Sequence, residues 1–356
     1  MRSRPTRSTS VSPSRCTSKT RPTRSACRSS ARCRGADRAT ARRGAKGDRV
    51  RFSVQTGQEN ISWDELLDTW QLLEGLGYDA AWTTDHLLPA GAGDADGPCL
   101  EAWTTLAALA ARVPRLRLGT MVTCNTFRNP AHLAKIATAV DVISGGRLNF
   151  GIGAGWFERE HAAYGFDFGT AGERFDRLEE ALQVIRLLWS GEQGVSFRGD
   201  HYRLEDAPFV PAPVQQPHPP IWVGGAGPNR TLRLVAKYAD AWNGNGTLEL
   251  LADRIERLRR HCDDVGRRFE DIELTAAAAL IPDAIYERFV ERTAEWQGLA
   301  SADVRRMTIG GSPEDLRNAV QAYADAGFTH LVMVVNTPYD RGLFERVARE
   351  VFPAFT

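Results

Sequence analysis

The sequence predicts an α/β chain built as a (β/α)8 barrel with insertions. Three observations carry that reading. Eight short β-rich segments alternate with helical segments between residues 50 and 356, the pattern of parallel strands joined by helical crossovers. No Gly-x-Gly-x-x-Gly leads straight from a strand into a helix with an acid about 20 residues on, so a dinucleotide-binding open sheet is set aside. The residues with chemical potential gather just past the strand ends, where barrels place their sites. An open doubly wound sheet shares the alternation, and the count of eight favours the barrel.

Taken in order, residues 50–56 (VRFSVQT) alternate and are β-rich, giving the first strand. Residues 63–76 carry apolar side chains at helical spacing and stop at Gly77, a helix C-cap signal. A short second strand spans 79–84, and an Ala-rich helix spans 100–112. The third strand covers 116–123, and the helix over 130–143 opens on Asn129-Pro130, with proline at the position that tolerates it. The fourth strand covers 147–152. A longer unit follows: an amphipathic helix over 173–189, a small hairpin over 195–204 turning at Gly199-Asp200, and a Pro-rich stretch from 208 to 220. Strand five (221–223) leads to a helix over 229–238, and strand six (239–242) to one over 248–265. Strand seven (272–279) precedes an irregular, partly helical insertion over 282–308. A helix over 313–326 follows Ser312, a good N-cap. The apolar eighth strand (330–335) and a helix over 343–352 close the set.

Charge divides the chain. The 356 residues sum to +1, but residues 1–48 hold 14 Lys and Arg against Asp37 and Asp48, a net +12. The remaining 308 residues hold 31 bases and 42 acids, a net −11. An acidic body excludes an electrostatic nucleic-acid binder, and no apolar run of about 18 residues offers a transmembrane helix. The first 48 residues contain no aromatic residue, no Leu and no Ile, while Ser and Thr total 15. Such a stretch cannot bury enough apolar area to offset chain entropy. Residues 1–49 are expected to be a disordered Arg/Ser-rich tail or a stretch upstream of a true start near Val50; a transit-like peptide is the third reading. The domain proper is then 50–356. Cys16, Cys27 and Cys33 lie in the tail and Cys99, Cys124 and Cys262 in the body. An odd, scattered set argues for a reducing compartment, hence a cytoplasmic protein.

The strand ends carry the informative residues. Asp85-His86 follows strand two, a carboxylate beside an imidazole suited to acid/base work or simply to an ordinary hydrogen-bonded loop. Small polar residues around Asn125 follow strand three; they suit a flat heterocycle, or a loop in which Asn129 caps the next helix. Gly151, Gly153 and Gly155 follow strand four, where bare backbone allows close approach to a ring or permits tight packing. Gly224, Gly225, Ala226 and Gly227 follow strand five, ahead of a helix carrying Arg230 and Thr231. Backbone N–H groups at a helix start plus one Arg make an anion site. Glu158, Glu160 and His161 sit close together but share no ligand spacing with another His or Cys, so no metal site is expected. No Gly-x-Ser-x-Gly elbow is present. The basic run 254–260 reads as a solvated helix face.

Four stretches point one way together: 77–89 (GYDAAWTTDHLLP), 116–130 (LRLGTMVTCNTFRNP), 139–156 (AVDVISGGRLNFGIGAGW) and 219–244 (PPIWVGGAGPNRTLRLVAKYADAWNG). The chain resembles the bacterial luciferase-like monooxygenase superfamily, and within it the oxidoreductases that depend on the deazaflavin coenzyme F420. The resemblance covers residues 50–356. It implies a barrel with the cofactor ring in its mouth and a hydride passed between the deazaflavin and an organic substrate. Asp85 and His86 match the family's Asp-His pair, the His acting in proton transfer and the Asp helping to bind cofactor. Met121-Val122 matches a non-proline cis peptide that buttresses the ring. Ala154, Gly155 and Trp156 match the strand-four contact; Gly224, Gly225, Ala226, Gly227, Arg230 and Thr231 match the phosphate-binding segment. Asn125 and Tyr164 are expected beside ring or substrate. Two departures stand out. Sugar-phosphate dehydrogenases of this branch carry Thr-Gly-Glu where this chain has Ala154-Gly155-Trp156, and a Trp shortly after the Asp-His-x-x-Pro motif where it has Ala90. A bulkier or more apolar substrate than a sugar phosphate is therefore expected. The resemblance also leaves two alternatives: an FMN-dependent monooxygenase fed by a partner reductase, and a flavin-binding protein without turnover. The expected assembly is a homodimer.

Overall fold

The computed structural model describes residues 49–90 and 93–355; the tail reading for residues 1–48 lies outside the described residues. Eight parallel strands close into a ring: Arg51–Gln55, Ala80–Thr83, Arg117–Thr120, Leu148–Gly153, Ile221–Gly224, Ala241–Asn245, Glu273–Leu280 and His330–Val334. Neighbours pair in chain order, and the last returns to the first with Arg51 opposite His330 and Gln55 opposite Val334. The predicted (β/α)8 barrel is the observed one.

The helices begin and end where side chains take up free backbone groups. Ser62 and Glu65 form a capping box ahead of Trp63–Leu76, and Gly77 stops that helix at φ +85°. Asn129 caps Pro130–Ser144, Thr170 with Glu173 boxes Ala171–Leu188, and Ser312 with Asp315 boxes Pro313–Asp325. Their inner faces, with Leu66, Trp70, Leu106, Leu133 and Ile185 fully buried, form one apolar layer around the strands. Inside the ring, the indoles of Trp82 and Trp222 lie 4.7 Å apart. Gly119 makes room for them, since a Cβ there would stand 2.7 Å from the Trp82 ring. The Trp82 Nε1–H donates to Ser53 Oγ, which also meets His330 Nε2 at 2.9 Å. A filled interior leaves ligand space at the C-terminal mouth.

The stretch 139–156 does structural work. Asp141, wholly buried, accepts from the N–H groups of Val214 and Gln215 and from the Gln215 amide. Arg147 donates to the carbonyls of Ala110, Val113, Leu116 and Ser144. One residue anchors the Pro-rich stretch, and the other ties a helix end to the fourth strand.

Three elements depart from the sequence reading. The sixth strand runs over Ala241–Asn245 rather than 239–242. Ala239 still closes the preceding helix, and the Asp240 carboxylate accepts from Ile221 N. The insertion 282–308 resolves into helices Asp283–Gln297 and Ser301–Arg306 and a short strand, Thr308–Ile309, that pairs beside strand seven. A helix over Glu158–Tyr164 sits in the loop after strand four. Seven residues are too few to show a helical period.

Candidate active site

The strand ends enclose a cavity of about 690 Å³, in the ordinary range for a cofactor or small-molecule site. His86 lines it, just past the second strand. Its Nδ1 lies 3.0 Å from Glu160 Oε1, and Leu87 N donates to the other Glu160 oxygen at 2.9 Å. The Glu160 side chain is 1 % exposed. Burial alone pushes the imidazole toward its neutral form. The hydrogen bond and charge of Glu160, with the charges of Glu59 and Asp85, outweigh that and raise the His86 pKa above the ordinary 6.5. With Nδ1–H donated to Glu160, Nε2 is the ring nitrogen left to exchange a proton with a bound molecule.

Asp85 lines the same cavity and is tied to the neighbouring loop. Its oxygens accept from both terminal nitrogens of Arg128, at 2.6 and 3.0 Å, and from Cys124 N at 2.9 Å. Burial pushes its pKa above the usual carboxylate range, and the Arg128 guanidinium and the Cys124 N–H offset only part of that shift. These bonds occupy both carboxylate oxygens. Asp85 fixes the loop that carries His86 against the loop after strand three.

The Met121–Val122 peptide is cis, where the resemblance had placed such a bond. Val122 reaches across the mouth, and a Cβ on Gly153 or Gly224 would come within 2.7 or 2.9 Å of its methyl groups. Glycine at both positions lets Val122 form the cavity floor. Ala154, Gly155 and Trp156 make the next wall. Trp156 is 64 % exposed, stacks on Phe157 at 5.2 Å and stands edge-on to the His86 ring at 5.6 Å.

Gly224, Gly225, Ala226, Gly227 and Thr231 form the opposite side. The helix Arg230–Tyr238 starts directly behind them, and its N-cap, Asn229, makes no side-chain bond to the first turn. Bare loop backbone ahead of a helix start suits an anion. A Cβ on Gly227 would lie 2.6 Å from Thr231 Oγ1, so the cradle has no room for a larger residue there. Trp242 Nε1, Arg254 Nε and His261 Nε2 hold the loop through the carbonyls of Gly225, Ala226 and Pro228. Arg254 is thus a brace, not part of a merely solvated face.

Three expected residues are not among those that line the cavity. Arg230 pairs with Asp176, donates to Gly172 O and lies over the ring of Phe175, a lining residue, without lining the cavity itself. Asn125 is buried beside the Tyr202 hydroxyl and does not line the cavity. Tyr164 is 54 % exposed, with its hydroxyl 3.4 Å from Leu87 O. In exchange the fold supplies Arg174, a cation on the wall that donates to Gly155 O and Gly169 O. Glu160 and Arg174 were not singled out for the site by the sequence. Glu160 was visible in an acidic cluster, but nothing in the sequence pairs it with residue 86. His161, its neighbour, spends its nitrogens on Phe157 O and the Thr126 hydroxyl.

The donor set suits a flat ring over Val122 with an anionic arm at the glycine loop. A family model, the luciferase-like monooxygenases, matches residues 48–330. The F420-dependent glucose-6-phosphate dehydrogenase of Intrasporangium calvum is 33 % identical over 326 residues, covering 82 % of this chain and 94 % of that protein. The F420-dependent hydroxymycolic acid dehydrogenase of Mycobacterium tuberculosis is 30 % identical over 298 residues, with coverage of 77 % and 80 %. Among solved structures, an F420-dependent secondary alcohol dehydrogenase with an F420-acetone adduct superimposes with a TM-score of 0.76 at 21 % identity, over 86 % of this chain and 99 % of that one.

Proposed function

This chain belongs to the luciferase-like monooxygenase family, and from that premise we propose that it is an F420-dependent oxidoreductase acting on a small organic substrate. The observation that carries the reading is the pairing of His86 with buried Glu160 on one side of a cavity whose other side is a glycine cradle. When bound, F420 supplies the hydride acceptor or donor. The chain's own residues do the rest. Gly224, Gly225, Ala226, Gly227 and Thr231, with Arg174 across the cavity, take the anionic arm. Val122, Ala154 and Gly155 support the ring. His86 gives or takes the substrate proton at Nε2, and Glu160 fixes its orientation and stabilises the imidazolium that forms. Trp156 covers the substrate side with an apolar face where a sugar-phosphate enzyme of this branch carries a carboxylate, so an alcohol or carbonyl on an apolar frame fits better than a sugar phosphate.

The test is titration of the purified chain with F420 and with FMN, followed by turnover of His86→Ala. Binding of F420 and loss of about 10²–10⁴-fold in turnover are expected. Tight FMN binding with no F420 binding, together with oxygen consumption when reduced FMN is supplied, would replace this reading by a flavin monooxygenase served by a separate reductase.

A further inference from the structure

A second cavity of about 700 Å³ lies beside the first and shares Val335, Asn336 and Thr337 with it. Asn336, which is exposed, lines both. One wall is the strand-seven end and the helix Asp283–Gln297, through Ile281, Ile285 and Phe289; the other is Pro338, Leu343 and Phe344. From Pro282 to Thr293 the lining follows about 16 Å of helix at 1.5 Å per residue. The lining is mostly apolar, with three charged residues: Arg288, Arg292 and Asp340. Arg288 and Arg292, four residues apart on one helix face, both line it, and neither pairs with a carboxylate among the described residues. Both are exposed to solvent, and like charges at this spacing repel each other. Asp340, on the opposite wall, accepts from Leu343 N as the cap of the next helix.

We propose that this compartment is the second half of the substrate site, taking an aliphatic or aryl-alkyl arm that ends in a carboxylate held by Arg288 and Arg292. The substrate class is then an amphiphile, with its reacting carbon over the cofactor ring and its apolar arm laid across Asn336 along the 283–297 helix. The proposal rests on the main cavity being the redox site. It places the charge recognition at the far end of the arm, away from the Trp156 face of the main cavity.

The test is calorimetric titration of the full chain with decanoate and with decan-1-ol, alongside F420 titration of the same samples. Decanoate is expected to bind one per chain. Arg288→Ala with Arg292→Ala should weaken decanoate tenfold or more and leave decan-1-ol unchanged. Ile285→Trp, at a position already partly exposed, should weaken both. F420 binding should be unaltered by all three substitutions. Absence of decanoate binding to the native chain, or binding that none of these changes weakens, would overturn the compartment. Decanoate behaving as stated while F420 fails to bind would leave the compartment standing and overturn the cofactor reading instead.

Discussion

His86 and Glu160 stand 74 residues apart in the chain and 3.0 Å apart in the fold. That contact has a thermodynamic signature of its own. The folded pKa of His86 is raised above 6.5, so the pair's stabilisation is complete below about 6.5 and is lost as pH rises through the higher folded value. Glu160→Gln keeps the shape but removes the charge. It is expected to cost about 2 kcal/mol in mildly acidic buffer, the scale of a charge-assisted hydrogen bond, with the gap from the native chain narrowing at alkaline pH. Thermal melts of both proteins across pH 5.5–9 check this; a gap that widens with pH would refute the pairing. The same substitution should move any His86-dependent limb of the turnover profile to lower pH. At the cavity floor, Gly153→Ala would bring a methyl group within 2.7 Å of Val122. The expected overpacking cost is about 1–3 kcal/mol, and cofactor titration should show weaker binding, because the floor moves with Val122.

At the scale of elements, the stretch 139–156 that carries much of the family resemblance holds the scaffold through Asp141 and Arg147 and lines the cavity at its end, from Gly153 to Trp156. Arg147 serves four carbonyls on a helix end, a loop and its own turn. Arg147→Met leaves those oxygens unpaired in a partly buried place, and about 3 kcal/mol of destabilisation is expected from the loss of several charge-assisted bonds. Urea melts would register it as a lower midpoint at unchanged slope, with cofactor affinity unaltered in the folded fraction. Local rules made most elements legible in the sequence. The helix Trp63–Leu76 begins and ends where Ser62 and Gly77 announce it, because caps act through neighbours in the chain. The helix Glu158–Tyr164 and the pairing of Arg230 with Asp176 were not legible. The first is too short for a period, and the second depends on Asp176, which only tertiary packing brings near. The same reason hid Glu160 and Arg174: spacing along the chain says which loop a residue occupies, not which residue faces it across a barrel.

For the molecule as a whole, the sequence arithmetic set a basic segment over residues 1–48 against an acidic body, and the count of eight strands proved decisive for the ring. Closure is achieved within residues 50–355. Arg51 N bonds Thr329 O and Val50 N bonds Phe355 O, each at 2.9 Å, and the Phe52 ring stacks on Phe352 at 4.6 Å. The first strand is therefore clamped between the eighth strand and the last helix by groups that all lie in the body. Arg49 contributes an ion pair to Asp79 at 3.3 Å from a side chain that is 61 % exposed, and pairs of that kind are worth about 0–1 kcal/mol. Deleting residues 1–49 is accordingly expected to leave a cooperatively folding protein whose Tm falls by no more than about 3 °C. F420 titration of the shortened chain should match that of the full one, since His86, Arg174 and the glycine loop keep every contact described for them. Loss of cooperative unfolding on deletion would show that the barrel draws stability from the first 49 residues, and would overturn the division of the chain at Val50.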